Sequence, residues 1–111
     1  MADSIRKLSV VVPCCNEEQN VPRFVDELWP VLESLNLDFE VVIVDDGSKD
    51  NTAIEVQKIT KPQLRLARHE VNRGLGAAMR TGIAAATGDQ LIFLDGDLTF
   101  HPVLIPCLIT A

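Results

Sequence analysis

Phe-Glu-Val-Val-Ile-Val-Asp, residues 39–45, is the stretch of the chain that decides its fold. A continuous run of Val and Ile of this length is typical of a strand that is covered on both faces, as in a parallel sheet. Comparable runs lie at Lys7–Cys14 (KLSVVVPC) and Gln90–Asp95 (QLIFLD). The alternating pattern of Leu64–His69 (LRLARH) predicts a weaker strand at an edge of the same sheet.

Helical patterns lie between these strands. Asn20–Leu35 places its apolar side chains on one helical face, and Pro30 is expected to kink or split that helix. Shorter helices are predicted at Asn51–Thr60, Gly74–Ala86 and Pro102–Thr110. The alternating order of strands and helices predicts right-handed crossovers and an α/β fold with a doubly wound, mostly parallel sheet. In such sheets, ligands bind outside the carboxyl ends of the strands.

Composition narrows the class of protein. The chain has 111 residues, 47% of them hydrophobic, which suits one small domain with an aliphatic core. Its formal net charge of −6 argues against a nucleic-acid-binding protein, because such proteins usually carry a basic face. The spacing of Cys14, Cys15 and Cys107 fits neither a disulfide framework nor a zinc site, so we expect reduced thiols and a cytoplasmic location. The ending within the apolar residues 103–111 indicates a chain that is truncated at its C-terminus.

Polar residues follow the first predicted strand in the sequence PCCNEE, residues 13–18. Asn16 and Glu17 are residue types that bond sugar hydroxyls or the edges of bases. A plain structural interpretation stays open, in which Asn16 forms a turn and the two glutamates favour a helix N-terminus.

Two adjacent carboxylates, Asp45 and Asp46, end the second predicted strand. Carboxylates at the end of a buried strand are costly unless they are bonded or functional. A carboxylate can accept the ring N–H of uracil or guanine, or the hydroxyls of a ribose. The alternative is an Asp-Gly turn in which Ser48 caps the following helix.

Asp95-Gly96-Asp97 follows the strand that begins at Gln90. Two carboxylates around a glycine can converge on one cation, and oxygen ligands suit a hard ion such as Mg²⁺ or Mn²⁺. A surface turn is the alternative, but the position on the binding edge of the sheet favours a metal site at Asp95 and Asp97.

The fourth motif is Asn72–Ala78 (NRGLGAA), whose glycines open a helix. Its backbone N–H groups are candidates for binding a phosphate, and a close-packed Ala-rich helix is the equally weighted alternative. Arg73 and Arg80 are the nearby cations that can face a diphosphate. His69 and His101 are interpreted as surface or supporting residues and not as catalysts.

Together, these motifs resemble the N-terminal part of the inverting glycosyltransferase family 2, which has the GT-A fold. The resemblance runs from Leu8 to Pro102 and is carried by VVVPCCNEE, VVIVDDGSKDNT, NRGLGAAMRTGIAAATGD and LIFLDGDLTFHP. The subgroup to which the chain is most similar is the polyprenyl-phosphate sugar transferases of the dolichol-phosphate mannose synthase type, on the evidence of GLGAAMRTG and DGDLTFHP.

This resemblance implies a GDP- or UDP-sugar as the donor substrate. Pro13, Glu17 and Asp46 would then contact the nucleoside, and Asp45 would support the ribose or hold the loop. Asp95 and Asp97 would form the family's D-x-D motif, which bridges Mg²⁺ or Mn²⁺ to the diphosphate. The acceptor, a lipid phosphate in the most similar subgroup, would attack the anomeric carbon with inversion.

Two positions depart from the family pattern, since members often have Tyr at the position of Cys15 and some have Gln at that of Thr99. The family's acceptor site and catalytic base would lie beyond this chain, so no catalytic base is assigned, and the chain alone is expected to be inactive. Two alternatives remain. A nucleotidyltransferase would need a Gly-rich, basic loop after the first strand, whereas residues 13–18 are acidic. The second is a non-catalytic module that binds a nucleotide or self-associates, with the apolar segment Val103–Ile109 as the surface for dimerisation.

Overall fold

Within residues 7–94, four parallel strands form one sheet: β1 (Lys7–Cys14), β2 (Asp38–Asp46), β3 (Leu64–His69) and β4 (Gln90–Phe93). Their spatial order is β3-β2-β1-β4, so the chain moves outward from β1 to β3 and then crosses to the other side of β1. The computed structural model describes residues 7–94. All four predicted strands are confirmed over these residues, and β3 lies next to β2 alone, as expected of an edge strand.

Side chains of the central strands alternate between two apolar clusters, one on each face of the sheet. In β2, Val41 and Ile43 belong to the larger cluster, and Val42 and Val44 belong to the smaller one. This alternation follows from the two-residue period of a strand. Both faces are covered by helices, which confirms the doubly wound α/β fold.

The larger cluster is covered by one continuous helical segment. It consists of α1 (Val21–Arg23), a π-helical stretch (Phe24–Leu28) and α2 (Trp29–Glu33). Pro30 lacks an N–H group, and its ring would clash with the carbonyl one turn earlier in a regular α-helix. We therefore attribute the wider π-helical stretch directly before it to Pro30. The predicted helix is confirmed, and Pro30 widens it without splitting it.

The remaining described helices are α3 (Thr52–Gln57) and α4 (Leu75–Ala85). Val56 of α3 joins the larger cluster, whereas Ala78 of α4 packs on the opposite face. Helix α3 was predicted to reach Thr60 but ends three residues earlier, at Gln57. The predicted helix Pro102–Thr110 lies outside the described residues. Within residues 7–94, every helix is too short or too polar to cross a bilayer.

At the amino end of the sheet, the buried carboxylate of Glu40 is hydrogen-bonded to several elements of the fold. Glu40 of β2 is 3% exposed and accepts hydrogen bonds from Ser9 Oγ (2.7 Å), Thr87 N (2.6 Å) and Arg65 Nη1 (2.8 Å). Burial acts to raise the pKa of Glu40, but these hydrogen bonds outweigh it and lower the pKa to about 2. Glu40 therefore joins β1, β2, β3 and the segment after α4 as an ionised group.

Candidate functional site

At the carboxyl edge of the sheet, the loop after β1 is bonded to the loop after β2. Asn16 adopts a left-handed conformation (φ 56°), donates its N–H to Ser48 Oγ (2.8 Å) and accepts the N–H of Lys49 on its Oδ1 (2.8 Å). Glu17 N donates to Thr52 Oγ1 (2.8 Å). Ser48 therefore holds the neighbouring loop, and the interpretation of Ser48 as a helix cap is wrong.

Asn51, the N-cap residue of α3, makes no side-chain capping bond within residues 7–94, and the carboxylate that reaches the start of this helix belongs to Asp50. Its carboxylate accepts the N–H groups of Thr52 (3.0 Å) and Glu18 (3.3 Å). Burial acts to raise the pKa of Asp50, but hydrogen bonds from Thr52 and Glu18 outweigh it and lower that pKa. The first two loops thus form one hydrogen-bonded layer above the sheet.

Asp45 points to the face that carries the larger cluster. It is fully buried, accepts Ser48 N on Oδ1 (3.0 Å), and its Oδ2 lies 3.5 Å from Arg68 Nε. No hydrogen bond reaches that Oδ2 from the part of the chain that the structure describes. Its contact with Ser48 matches the expectation that Asp45 holds the loop.

Asp46 points to the opposite face, toward α4. Its Oδ1 accepts the N–H of Arg73 (2.8 Å) and contacts His69 Nδ1 (2.8 Å), and its Oδ2 accepts the N–H of Gly74 (2.9 Å). Burial acts to raise the pKa of Asp46, but these hydrogen bonds outweigh it and lower the pKa. The interpretation of the glycine loop as a phosphate cradle is therefore wrong at Arg73 and Gly74, because Asp46 already occupies their N–H groups.

Asp46 and Pro13 line one cavity of about 240 Å³ at this edge. Cys15 and Asn72 lie on its wall, joined by a contact of 3.3 Å from Asn72 Nδ2 to Cys15 Sγ, and Leu75 of α4 borders it. The cavity therefore combines an ionised carboxylate with apolar side chains, which suits a ligand with both polar and flat apolar parts.

The structure places two other predicted nucleotide-binding residues elsewhere. Glu17 lines a separate acidic pocket of about 360 Å³ with Glu18 and Asp50, and its Oε2 accepts Asn20 Nδ2 (2.6 Å). Arg80 is exposed on α4 and lines neither of these two pockets. Pro13 and Asp46 are thus together, whereas Glu17 and Arg80 lie outside their cavity.

The predicted metal ligands Asp95 and Asp97 lie outside the described residues. Leu94 N donates to Val11 O (3.0 Å), so the described chain runs beside β1 up to the residue that precedes Asp95. Strand order reverses between β1 and β4, and ligands of doubly wound sheets bind at such a reversal. Residues 7–94 contain no group of three His, Cys, Asp or Glu that can hold a metal ion. The two carboxylates fit a hard divalent ion by their donor chemistry.

His69, interpreted from the sequence as a surface or supporting residue, is buried and contacts Asp46, which excludes the surface interpretation and fits the supporting one. It is 7% exposed and lies beside Asp46 in the pairing of β2 with β3. Its second ring nitrogen, Nε2, lies 2.7 Å from Thr81 Oγ1 of α4. The sequence places His69 at the carboxyl end of a predicted strand. Because ligands of doubly wound sheets bind outside these ends, that position could have identified His69 as a site residue.

Comparison with known proteins places this geometry in a family. Residues 9–111 match the family described as Glycosyl transferase family 2. Among solved structures, glucosyl-3-phosphoglycerate synthase from Mycobacterium tuberculosis, in complex with Mn²⁺, UDP and glucosyl-3-phosphoglycerate, is 31% identical with a TM-score of 0.76. That match covers 95% of this chain and 39% of the synthase chain.

Two other solved structures are similar. TarS residues 1–349 from S. aureus are 30% identical with a TM-score of 0.72, and the match covers 94% of this chain and 31% of that one. The mannosyltransferase PcManGT from Pyrobaculum calidifontis, in complex with GDP-Man and Mn²⁺, is 29% identical with a TM-score of 0.71. That match covers 84% of this chain and 28% of PcManGT. The chain thus spans roughly a third of the length of these proteins, with the GT-A nucleotide-binding fold, and it belongs to glycosyl transferase family 2.

Proposed function

We propose that the whole protein transfers a sugar from a nucleotide-diphosphate donor, and that residues 1–111 form its nucleotide-sugar-binding part. The observation that carries this proposal is the Asp46 carboxylate at the wall of the cavity. It is 5% exposed and is bonded to the N–H groups of Arg73 and Gly74 and to the His69 ring. A carboxylate has about four lone-pair sites, so these contacts leave about one for a ligand.

That remaining lone pair suits a base with a ring N–H. Neutral uracil and guanine each carry such a group, whereas cytosine and adenine present an acceptor nitrogen at the equivalent position. Pro13 would supply an apolar contact to the base, and Asp45 would support the ribose through the loop that it holds. The solved relatives agree with this assignment, because two of them are complexes with UDP or GDP-Man.

Asp95 and Asp97 would hold Mg²⁺ or Mn²⁺. When bound, the metal supplies Lewis-acid stabilisation of the leaving nucleoside diphosphate. Mn²⁺ is present in the complexes of the synthase and of PcManGT, which supports a divalent ion here. Glu17 follows β1 at this edge of the sheet, and we propose that it lies near the nucleoside when the donor is bound. Arg80 is an exposed cation on α4, and we propose it as a contact of the diphosphate; both residues lie outside the cavity of Pro13 and Asp46.

The finer assignment is an inverting transferase that passes a hexose to a polyprenyl-phosphate acceptor, as in dolichol-phosphate mannose synthase. Its support is the similarity of the stretches GLGAAMRTG and DGDLTFHP. The acceptor site and the catalytic base would lie outside this chain. A cytoplasmic location, or the cytoplasmic face of a membrane, accords with the unpaired thiols of Cys14 and Cys15.

A thermal-shift panel of nucleotides tests the proposal. UDP or GDP with Mn²⁺ should raise the Tm of the protein by several degrees at roughly 100 times Kd, because ligand linkage then contributes about 2.7 kcal/mol. CDP and ADP should raise it far less, and EDTA should remove the effect. Equal shifts with all four nucleotides, or with EDTA present, would contradict a site built on Asp46 and a metal.

A further inference from the structure

The ring of His69 lies between the cavity carboxylate and helix α4. Its Nδ1 is 2.8 Å from Asp46 Oδ1, and its Nε2 is 2.7 Å from Thr81 Oγ1. With 7% of its surface exposed, the ring is enclosed by these neighbours. Both ring nitrogens therefore have side-chain partners, and the ring has one orientation in which both contacts are made.

The protonation of the ring follows from its partners. An ionised carboxylate can only accept, so Nδ1 must carry a hydrogen and donate it to Asp46. The hydroxyl of Thr81 can donate to a bare Nε2 or accept from a protonated one, so it serves either state of the ring. Asp46 thus fixes the tautomer of His69, and Thr81 holds the orientation of the ring.

The contacts of Asp46 show what this donor does. Oδ1 accepts from His69 and from Arg73 N, which occupies both of its lone pairs, whereas Oδ2 accepts from Gly74 N and keeps one lone pair. The two backbone donors come from adjacent residues of one loop. The His69 ring is the donor on a different element, strand β3, so it stops the carboxylate from rotating with that loop.

We infer that His69 is a positioning residue for nucleotide binding, holding the Asp46 carboxylate in the orientation that presents an acceptor to the base. This inference rests on the proposed function of Asp46. Without the His69 donor, a buried carboxylate is more readily protonated, and a carboxylic acid presents a donor where the ligand also has a donor. Removal of the His69 donor would therefore weaken nucleotide binding in addition to any effect on the stability of the fold.

Two substitutions separate the two contacts of the ring. Asn places its amide nitrogen where His has Nδ1, so His69→Asn keeps a donor toward Asp46 and loses the Thr81 contact. Gln places its terminal amide near the position of Nε2, so His69→Gln keeps the contact with Thr81 and loses the donor to Asp46. Both variants remove the ring, and Asn, which is shorter by one methylene group, leaves the larger empty volume, so a loss of packing alone would weaken His69→Asn more than His69→Gln.

A matched control lies at the other end of the same strand. Glu40 and Asp46 are buried carboxylates on the same face of β2, and Ser9 Oγ donates to Glu40 at 2.7 Å. Ser9→Ala therefore removes a donor to a buried carboxylate far from the cavity. It should lower stability without changing nucleotide affinity.

The experiment is calorimetric titration of the whole protein and its variants with UDP and GDP in the presence of Mn²⁺. His69→Gln should bind roughly tenfold more weakly or worse, whereas His69→Asn and Ser9→Ala should stay within about threefold of the parent. Thermal unfolding checks that each variant is folded. In His69→Gln, the ¹³C-detected titration of the Asp46 carboxyl should also move to higher pH than in His69→Asn.

The outcomes are distinguishable. Equal affinities of His69→Asn and His69→Gln, whether high or low, would overturn the positioning role while leaving the proposed function intact. The same holds if Ser9→Ala loses as much affinity as His69→Gln. A parent protein that binds neither nucleotide with Mn²⁺ would contradict the proposed function and the positioning role with it.

Discussion

Asp45 and Asp46 are neighbours in the sequence, yet their carboxylates lie on opposite faces of the sheet. Asp45 accepts the N–H of Ser48 and faces Arg68, whereas Asp46 accepts the N–H groups of Arg73 and Gly74. Because the strand has a two-residue period, the pair does not form one acidic patch. Each carboxylate has a separate structural task, and Asp46 alone of the two lines the cavity with Pro13.

The two aspartates should differ in their contribution to stability. Asp46→Asn replaces an acceptor oxygen by an NH₂ group that faces backbone donors, and we expect a loss of about 2–3 kcal/mol. Asp45→Asn keeps the bond to Ser48 and removes a weak pair with Arg68, whose side chain is 57% exposed, so the loss should stay below about 1 kcal/mol. Urea unfolding at pH 7 measures both values. A larger loss for Asp45→Asn would show that the hydrogen-bond assignment is wrong.

Helix α4 packs closely against β1 at Gly82. A Cβ atom at this position would overlap Cγ1 of the buried Val11, so Gly82→Ala should lower the free energy of unfolding by about 1–3 kcal/mol. Gly76 lies on the same helix, and among residues 7–94 a Cβ there would meet Arg80 Nη1 alone, at 3.5 Å. Gly76→Ala should therefore stabilise the protein by up to about 1 kcal/mol through helix propensity. Chemical denaturation of both variants tests the packing, and effects of the same sign would count against it.

Glu40 makes stability depend on pH in the acid range. Its pKa is about 2 in the folded protein against an ordinary value of 4.5, so its contribution is fully present above pH 4.5 and is lost as the pH falls toward 2. The shift corresponds to about 3 kcal/mol. Urea unfolding between pH 2.5 and 7 should show a shallower acid decline for Glu40→Gln than for the parent. Identical slopes would mean that Glu40 does not remain ionised when buried.

The sequence was sufficient to predict the sheet. The Val-rich run Lys7–Cys14 and the alternating pattern of Leu64–His69 predicted β1 and β3 with their correct bounds. Hydrophobic period and strand length decide such elements locally, so no knowledge of the partner strands was needed. Helix α3 ends at Gln57 and not at the predicted Thr60. The end of a short helix depends on its backbone hydrogen bonds, which the hydrophobic pattern of the sequence does not show.

The candidate site was less accessible to sequence analysis. Pro13 and Asp46 were predicted to lie together because both are at the carboxyl ends of neighbouring parallel strands, and the structure places both on the wall of one cavity. The N–H groups of Arg73 and Gly74 were candidates for binding a phosphate, with a close-packed helix as the equally weighted alternative. Their bonds to Asp46 span 27 and 28 residues, and local sequence patterns do not show such contacts. The position of His69 depends likewise on the pairing of β2 with β3.

We propose that nucleotide binding at this edge depends on a divalent ion held by Asp95 and Asp97. Calorimetric titration with UDP and GDP tests it most directly, using the parent, Asp97→Ala and, as a control, Asp26→Ala at an exposed helical position. The parent and Asp26→Ala should bind with Mn²⁺, and binding should be lost with EDTA or in Asp97→Ala. Binding of equal strength by Asp97→Ala in the presence of EDTA would contradict it.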